Sequence, residues 1–217
     1  EHGGSEVMSY EDVEQPQATA SEVLIKVEAA GINYIDTYQR SGLYQIPLPA
    51  TLGLEASGTV AQIGSDVSRF QVGDRVAYTN VLGAYAEYAA VDQDKVVSIP
   101  DAVSFEEGAA AMLQGCTAHY LSQSTYPIKR GDSCLIHAAA GGVGLILIQM
   151  AKNAGAYVIA TVSTEEKAEL ARAAGADEII LYTQTDFEAE VKRITDGKGV
   201  NVVYDSVGKT TFEKSID

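Results

Sequence analysis

The chain has 217 residues, 46% of them hydrophobic, with a formal net charge of −15 at pH 7, enough apolar mass for one large domain or two small ones. A surface this acidic repels nucleic-acid phosphates and anionic membranes, and no apolar run approaches the length that spans a bilayer. Cys116 and Cys134 are the only cysteines, too few for a disulfide framework, and the N-terminus has no signal-peptide pattern, so a reducing cytoplasm is the expected setting.

Residues 1–20 are polar and carry no strand pattern. From Glu22 to about Ile99 the runs are short, β-branched and punctuated by glycine. "EVLIKVEAAGIN", "ASGTVAQIG", "GDRVAYT" and "AYAEYAAV" read as strands. Between them "SGLYQIPLPATLGLE", with Pro47 and Pro49, reads as a loop. Ser104 and Glu107 form an S-x-x-E capping box that starts a helix through "GAAAMLQGCTAHYLS".

After the Gly131-Asp132 turn the rhythm changes. "SCLIHA", "AYVIATV", "DEIILY" and "VNVVYDSVG" read as strands. "GVGLILIQMAKNAG", "TEEKAELARAAG" and "FEAEVKRITDG" read as helices between them. This alternation predicts right-handed βαβ units on a parallel sheet covered on both faces. The last residues, "TTFEKSID", read as the start of a helix with no stop signal, as in a fragment of a longer protein.

The stretch "HAAAGGVG", His137–Gly144, follows the first of these strands and opens the first helix. It is a dinucleotide fingerprint with Ala139 in place of the first glycine, which needs only a negative φ there. Ala140, Gly141, Gly142, Val143 and Gly144 are the expected phosphate-loop contacts, with the helix N-terminus facing the pyrophosphate. The bland alternative is a tight strand-to-helix turn without a ligand. The surrounding βαβ pattern favours the nucleotide.

An NAD-type site places an acid about 20 residues on, at the end of the second strand. Here that residue is Ser163, with Lys167 one turn later and Tyr182 at the end of the third strand. A hydroxyl, a cation and a phenol suit a 2′-phosphate, which points to NADPH. Against this, Ser163 and Glu166 also read as a capping box, Lys167 as a surface charge, and Glu165 and Glu166 as neighbours that weaken an anion site.

Six stretches together resemble the zinc-free quinone oxidoreductases, the zeta-crystallin-like branch of the medium-chain dehydrogenase/reductase superfamily. They are "AAGINYIDTYQRSGLY", "LGLEASGTV", "GAYAEYAAV", "GAAAMLQGCTAHYL", "HAAAGGVG" and "YDSVG". The resemblance implies an α/β protein: a mostly-β GroES-like catalytic domain over residues 1–112 and a doubly wound parallel Rossmann domain over 113–217, with a cleft between them. It also implies that a first β-strand, the last Rossmann strands and the C-terminal return lie outside the chain. A homodimer is expected, with no nucleic-acid or membrane partner.

Zinc-dependent relatives place ligands where this chain has Asn33, Leu54 and Leu113. None of these ligates zinc, Glu55 alone cannot hold it, and no metal site is expected. Without a Lewis acid the chemistry implied is hydride delivery to an acceptor that is already electron-poor, such as a quinone or an enal or enone. The resemblance implies that Asn33, Tyr38 and Tyr44 carry the reaction, with Tyr34 and Asp36 lining the slot. Tyr38 stands at a proton-relay position, and Thr117 lies by the nicotinamide. Asp36 also reads as structural. With 12 tyrosines in the chain, each aromatic has core packing as its plain alternative. His119 and His137 are expected to be structural, and Cys116 a buried small residue.

Two classes of function follow. One is NADPH-dependent, zinc-independent reduction of a quinone by hydride or stepwise electron transfer, or of an enal or enone. The other is a non-enzymatic NADPH-binding role, crystallin-like or RNA-binding, and the −15 charge argues against RNA.

Overall fold

The expected strand at Glu22 forms as β1 (Glu22–Ala30), whose Val23, Leu24 and Ile25 are buried. It pairs antiparallel with β2 (Glu55–Ile63), and β3 (Arg75–Thr79), β4 (Tyr88–Asp92) and β5 (Val96–Ser98) complete the sheet. The order is β4-β1-β2-β3-β5. Its core packs Val23, Ile25, Val60, Val76, Tyr78, Val91 and Val96. In this computed structural model, which describes Glu1–Asp217, the sheet lies in a unit that runs from Glu1 to Leu113; a second unit runs from Gln114 to Asp217. No helix is long and apolar enough to cross a membrane.

Two elements of the first unit depart from the sequence expectation. Val96–Ser98 forms the short edge strand β5, and Tyr34–Ser41, inside a half read as mostly β, is a helix, α1. The signal for α1 was present as Asn33-x-x-Asp36: the Asp36 carboxylate accepts from the Asn33 backbone N–H at 2.8 Å, an N-terminal cap. Gly42, at φ 81°, closes the helix in the left-handed conformation. The stretch read as a loop ends α1 with Ser41 and starts β2 with Glu55, and residues 42–54 between them contain no helix or strand.

Helix α2 (Phe105–Tyr120) starts at the expected box, with Ser104 N–H on Glu107 Oε2 at 2.9 Å and Glu107 N–H on Ser104 Oγ at 3.1 Å. Cys116 is exposed, against the expectation of burial. It lies two positions, or roughly 200° of helical turn, from the buried Ala118, and so on the opposite side of the helix. His119 is exposed as well.

In the second unit the parallel sheet has the order β8-β7-β6-β9. Its elements in chain order are β6 (Ser133–Ile136), α3 (Gly142–Ala154), β7 (Tyr157–Val162), α4 (Glu165–Ala173), β8 (Glu178–Leu181), α5 (Phe187–Ile194), β9 (Val202–Tyr204) and α6 (Phe212–Ile216). The first strand is central and the fourth lies on its other side, which is the doubly wound arrangement. The apolar strands serve two cores. Cys134, Ile136, Val158 and Ala160 pack with Leu147, Ile148, Ala168 and Ala171, while Leu135, Ile159 and Ile180 pack with Phe187 and Val191. Period-two alternation with both faces covered leaves no polar side to these strands. Burial pushes the Cys134 thiol up to about 12.

A backbone crossing generates the first testable consequence. Gly58 in β2 lies opposite Val27, where a Cβ would sit 2.0 Å from the Lys26 carbonyl oxygen. Gly58→Ala should therefore destabilise the first unit by about 2–3 kcal/mol, read as a lower denaturant midpoint. An unchanged midpoint would show that the sheet absorbs the methyl group.

Candidate functional site

The loop that leaves β6 is held by backbone crowding. Ala138 takes φ 48°, a conformation that is costly for a residue with a Cβ. Ala139, the residue in place of the fingerprint's first glycine, is buried and donates its N–H to Thr161 O at 3.2 Å. A Cβ on Gly144 would sit 2.5 Å from Ala139 O and 2.7 Å from Ala138 O, so only glycine lets α3 start this close to the strand end. The N-cap is Gly141, which has no side chain to satisfy the N–H groups of the first turn, the arrangement that suits a bound phosphate.

Gly142 needs a second explanation. A Cβ there would meet Gln114 Oε1 at 1.9 Å, so its absence makes room for this amide. Gln114 carried no sequence signal of its own. Thr117, three residues further along α2, is half-buried, as are Ala140 and Val143.

His137 is structural in its contacts. It is buried, its Nδ1 lies 2.8 Å from Thr161 Oγ1, its Nε2 lies 3.1 Å from Ser215 Oγ, and its ring meets that of Phe187 edge-on. Burial holds its pKa below the ordinary 6.5, against the pull of Asp205. Asp205 accepts from Ser215 Oγ, Thr211 Oγ1 and the N–H groups of Val207 and Gly208. Partial burial works to raise this carboxyl, and these bonds outweigh it and hold it low.

At the far end of β7 the expected Ser163–Glu166 capping box does not form. The N-cap of α4 is Thr164, whose Oγ1 accepts from Lys167 N–H at 3.3 Å. Because the helix starts one residue later than read, the Ser163 hydroxyl is left to accept from Lys167 Nζ at 3.2 Å. Glu166 is held low by its bond to the Thr164 side chain, which takes that charge to the cap. Thr183 Oγ1 donates to Ser163 O at 3.0 Å and Tyr182 N–H to Val162 O at 3.2 Å, and the Tyr182 ring is half-exposed.

The residues expected at the acceptor slot of the first unit divide into rings and interior groups. Tyr34, Tyr38 and Tyr44 form a chain of exposed rings, with centroids 6.5 Å apart for the first pair and 5.5 Å for the second. Asn33 and Asp36 are buried instead. Asp36 Oδ2 also accepts from Tyr85 OH at 2.7 Å. Glu55, at 0% exposure, accepts from Asn33 Nδ2 at 2.7 Å through one oxygen and from Leu113 N–H at 2.6 Å through the other. Burial pushes the Glu55 carboxyl up. Asp36 thus caps a helix and anchors a tyrosine rather than lying open. Tyr85 carried no role in the sequence reading, and Glu55 only that of an insufficient metal ligand. The donor set does not fit zinc: Asn33, Leu54 and Leu113 supply no ligand of the right type, and both Glu55 oxygens are taken.

Residues 19–101 match the alcohol dehydrogenase GroES-like domain family and residues 142–217 the zinc-binding dehydrogenase family. A quinone oxidoreductase of Pseudomonas aeruginosa is 50% identical over 218 aligned residues, covering all of this chain and 67% of its own length. The chain belongs to the quinone oxidoreductase family. A 2-haloacrylate reductase from a Burkholderia species is 42% identical, over 99% of this chain and 67% of that protein. Among solved structures, that of the Escherichia coli quinone oxidoreductase complexed with NADPH superimposes with a TM-score of 0.97 at 47% identity, over all of this chain and 67% of that one. The α/β fold expected from the sequence, a GroES-like unit and a Rossmann-type unit, is the family's fold.

His137 generates a pH dependence. Its folded pKa lies below 6.5, so the neutral ring contributes stability in full above that value and loses it as pH falls below. Urea midpoints of the second unit should decline from about pH 7 to about pH 5. His137→Gln, uncharged throughout, should decline less. Equal slopes in parent and variant would remove His137 as the cause.

Proposed function

We propose that this chain is the cofactor-binding and acceptor-binding part of an NADPH-dependent, zinc-independent quinone reductase. The observation that carries the reading is the Lys167–Ser163 pair, 3.2 Å apart, at the strand end where an NAD-type site has an acid. NADPH, when bound, supplies the hydride. The loop Ala140–Gly144 would hold its pyrophosphate on the α3 N-terminus, and Ser163, Lys167 and Tyr182 its 2′-phosphate. Thr117 would lie beside the nicotinamide.

On the acceptor side, Asn33, Tyr38 and Tyr44 would bind and orient the quinone, with Tyr34 on the rim. Hydride transfer leaves an oxyanion that takes up a proton, and the Tyr38 hydroxyl would pass it. Asp36 would act indirectly, by fixing the start of α1. The work of the chain is orientation, since a quinone needs no metal to accept a hydride.

A second reading, NADPH-dependent reduction of an electron-poor alkene, is favoured by the 42% identity to the 2-haloacrylate reductase. NADPH oxidation measured against a panel of quinones and enals separates the two. Faster turnover of quinones supports the first, faster turnover of enals the second, and neither would leave only a nucleotide-binding role.

The phosphate contact has its own test. Lys167→Ala removes one charge-assisted bond, worth ~1.5–3 kcal/mol, and should weaken NADPH roughly tenfold to a hundredfold. NADH affinity should be almost unchanged, because NADH places nothing there. Parallel losses for both cofactors, measured as dissociation constants at one ionic strength, would contradict the 2′-phosphate assignment.

A further inference from the structure

We propose that Glu55 is a positioning residue for the acceptor site, holding the Asn33 amide in one orientation and locking it to α2; this rests on the acceptor role proposed for Asn33. Glu55 is fully buried, and the charged group that acts on it is Asp36, a second carboxylate. No cation is paired with it, an arrangement that costs folding free energy and calls for a reason. Its two oxygens are spent on two different elements: Asn33 Nδ2 at the start of α1 and Leu113 N–H within α2.

A carboxylate can only accept hydrogen bonds, whereas an amide has a donor end and an acceptor end. Glu55 therefore selects the nitrogen of Asn33 for the interior and puts the amide oxygen on the opposite arm. A glutamine at position 55 could not do both jobs, because its own NH₂ would face either the Asn33 amide nitrogen or the Leu113 N–H, donor against donor.

The surroundings are built for this carboxylate. A Cβ on Gly31 would sit 2.1 Å from Glu55 Oε1, so glycine at 31 leaves the space that the oxygen fills. On the other side of the cap, Asp36 holds the Asn33 N–H at 2.8 Å and Tyr85 OH at 2.7 Å. The Asn33 main chain and side chain are thus fixed by two separate carboxylates.

The test is Glu55→Gln, Asn33→Ala and the double variant, in the full-length protein that contains this chain. We expect Glu55→Gln to lower kcat/KM for the acceptor about tenfold or more, with the NADPH dissociation constant unchanged within about twofold. The double variant should be no worse than Asn33→Ala alone, the signature of one interaction counted once. A folded Glu55→Gln protein with parental kcat/KM, or losses that simply add, would overturn the proposal.

A readout independent of turnover separates this inference from the reading it rests on. In ¹⁵N spectra the Asn33 side-chain NH₂ should give two well-resolved proton signals in the parent, and these should move as the Glu55 carboxyl titrates. If the parent reduces no acceptor, the proposed function fails, while this titration still decides the role of Glu55. If Glu55→Gln does not fold, the parent titration decides alone. Asn33 signals that ignore the Glu55 titration would overturn the proposal.

Discussion

The approach of α3 to the end of β6 sets the geometry of the second unit. With backbone oxygens of Ala138 and Ala139 2.7 and 2.5 Å from where a Cβ of residue 144 would be, nothing but glycine closes that turn. The close approach puts the α3 N-terminus just beyond the carboxyl end of a central strand, at the point where strand order reverses between β6 and β9. The left-handed Ala138, at φ 48°, is the local cost. It is offset by bonds on each side: His137 to Tyr204 O, Thr161 and Ser215, and Ala139 to Thr161 O. The loop at 138–144 is therefore held in place by contacts within the chain.

The first unit solves a different problem, the placing of carboxylates in an interior. Glu55 and Asp36 are both buried; Glu55 spends both oxygens on hydrogen-bond donors, and Asp36 takes two donors through Oδ2 alone. Glu55 and His137 consequently contribute to the pH dependence of stability with opposite signs. Glu55 has a folded pKa above 4.5, so its contribution to stability is present below that value and is lost as pH rises through the folded pKa. His137 in the second unit contributes above 6.5 and loses that contribution as pH falls. Burial disfavours the ionised Glu55 carboxyl, and hydrogen bonds from Leu113 and Asn33 offset part of that cost.

Strong periodicity and cap chemistry made most of the fold legible in the sequence. The four parallel strands were visible because both of their faces are buried, and α2 because Ser104 and Glu107 satisfy each other's backbone. Helix α1 was missed because its eight residues, YIDTYQRS, carry aromatic and β-branched types in a β-rich half, and its Asn33–Asp36 cap was overlooked. The α4 start was misplaced by one residue because Ser163 and Thr164 are both good caps; the structure chooses Thr164. Of the candidate site, the loop glycines and the Lys167–Ser163 pair could be named from spacing. Gln114, Tyr85 and the role of Glu55 could not, because each acts on a residue far away in sequence: Glu55 on Leu113, Tyr85 on Asp36, and Gln114 beside Gly142.

On the function proposed above, one helix N-terminus and one strand end together read a 2′-phosphorylated dinucleotide. The most direct measurement is a ¹⁵N chemical-shift titration of this chain with NADPH and, separately, with NADH. Both cofactors should shift the amides of 140–144, and only NADPH should also shift Ser163, Lys167 and Tyr182. Identical patterns for the two cofactors, or shifts that avoid 140–144, would contradict it.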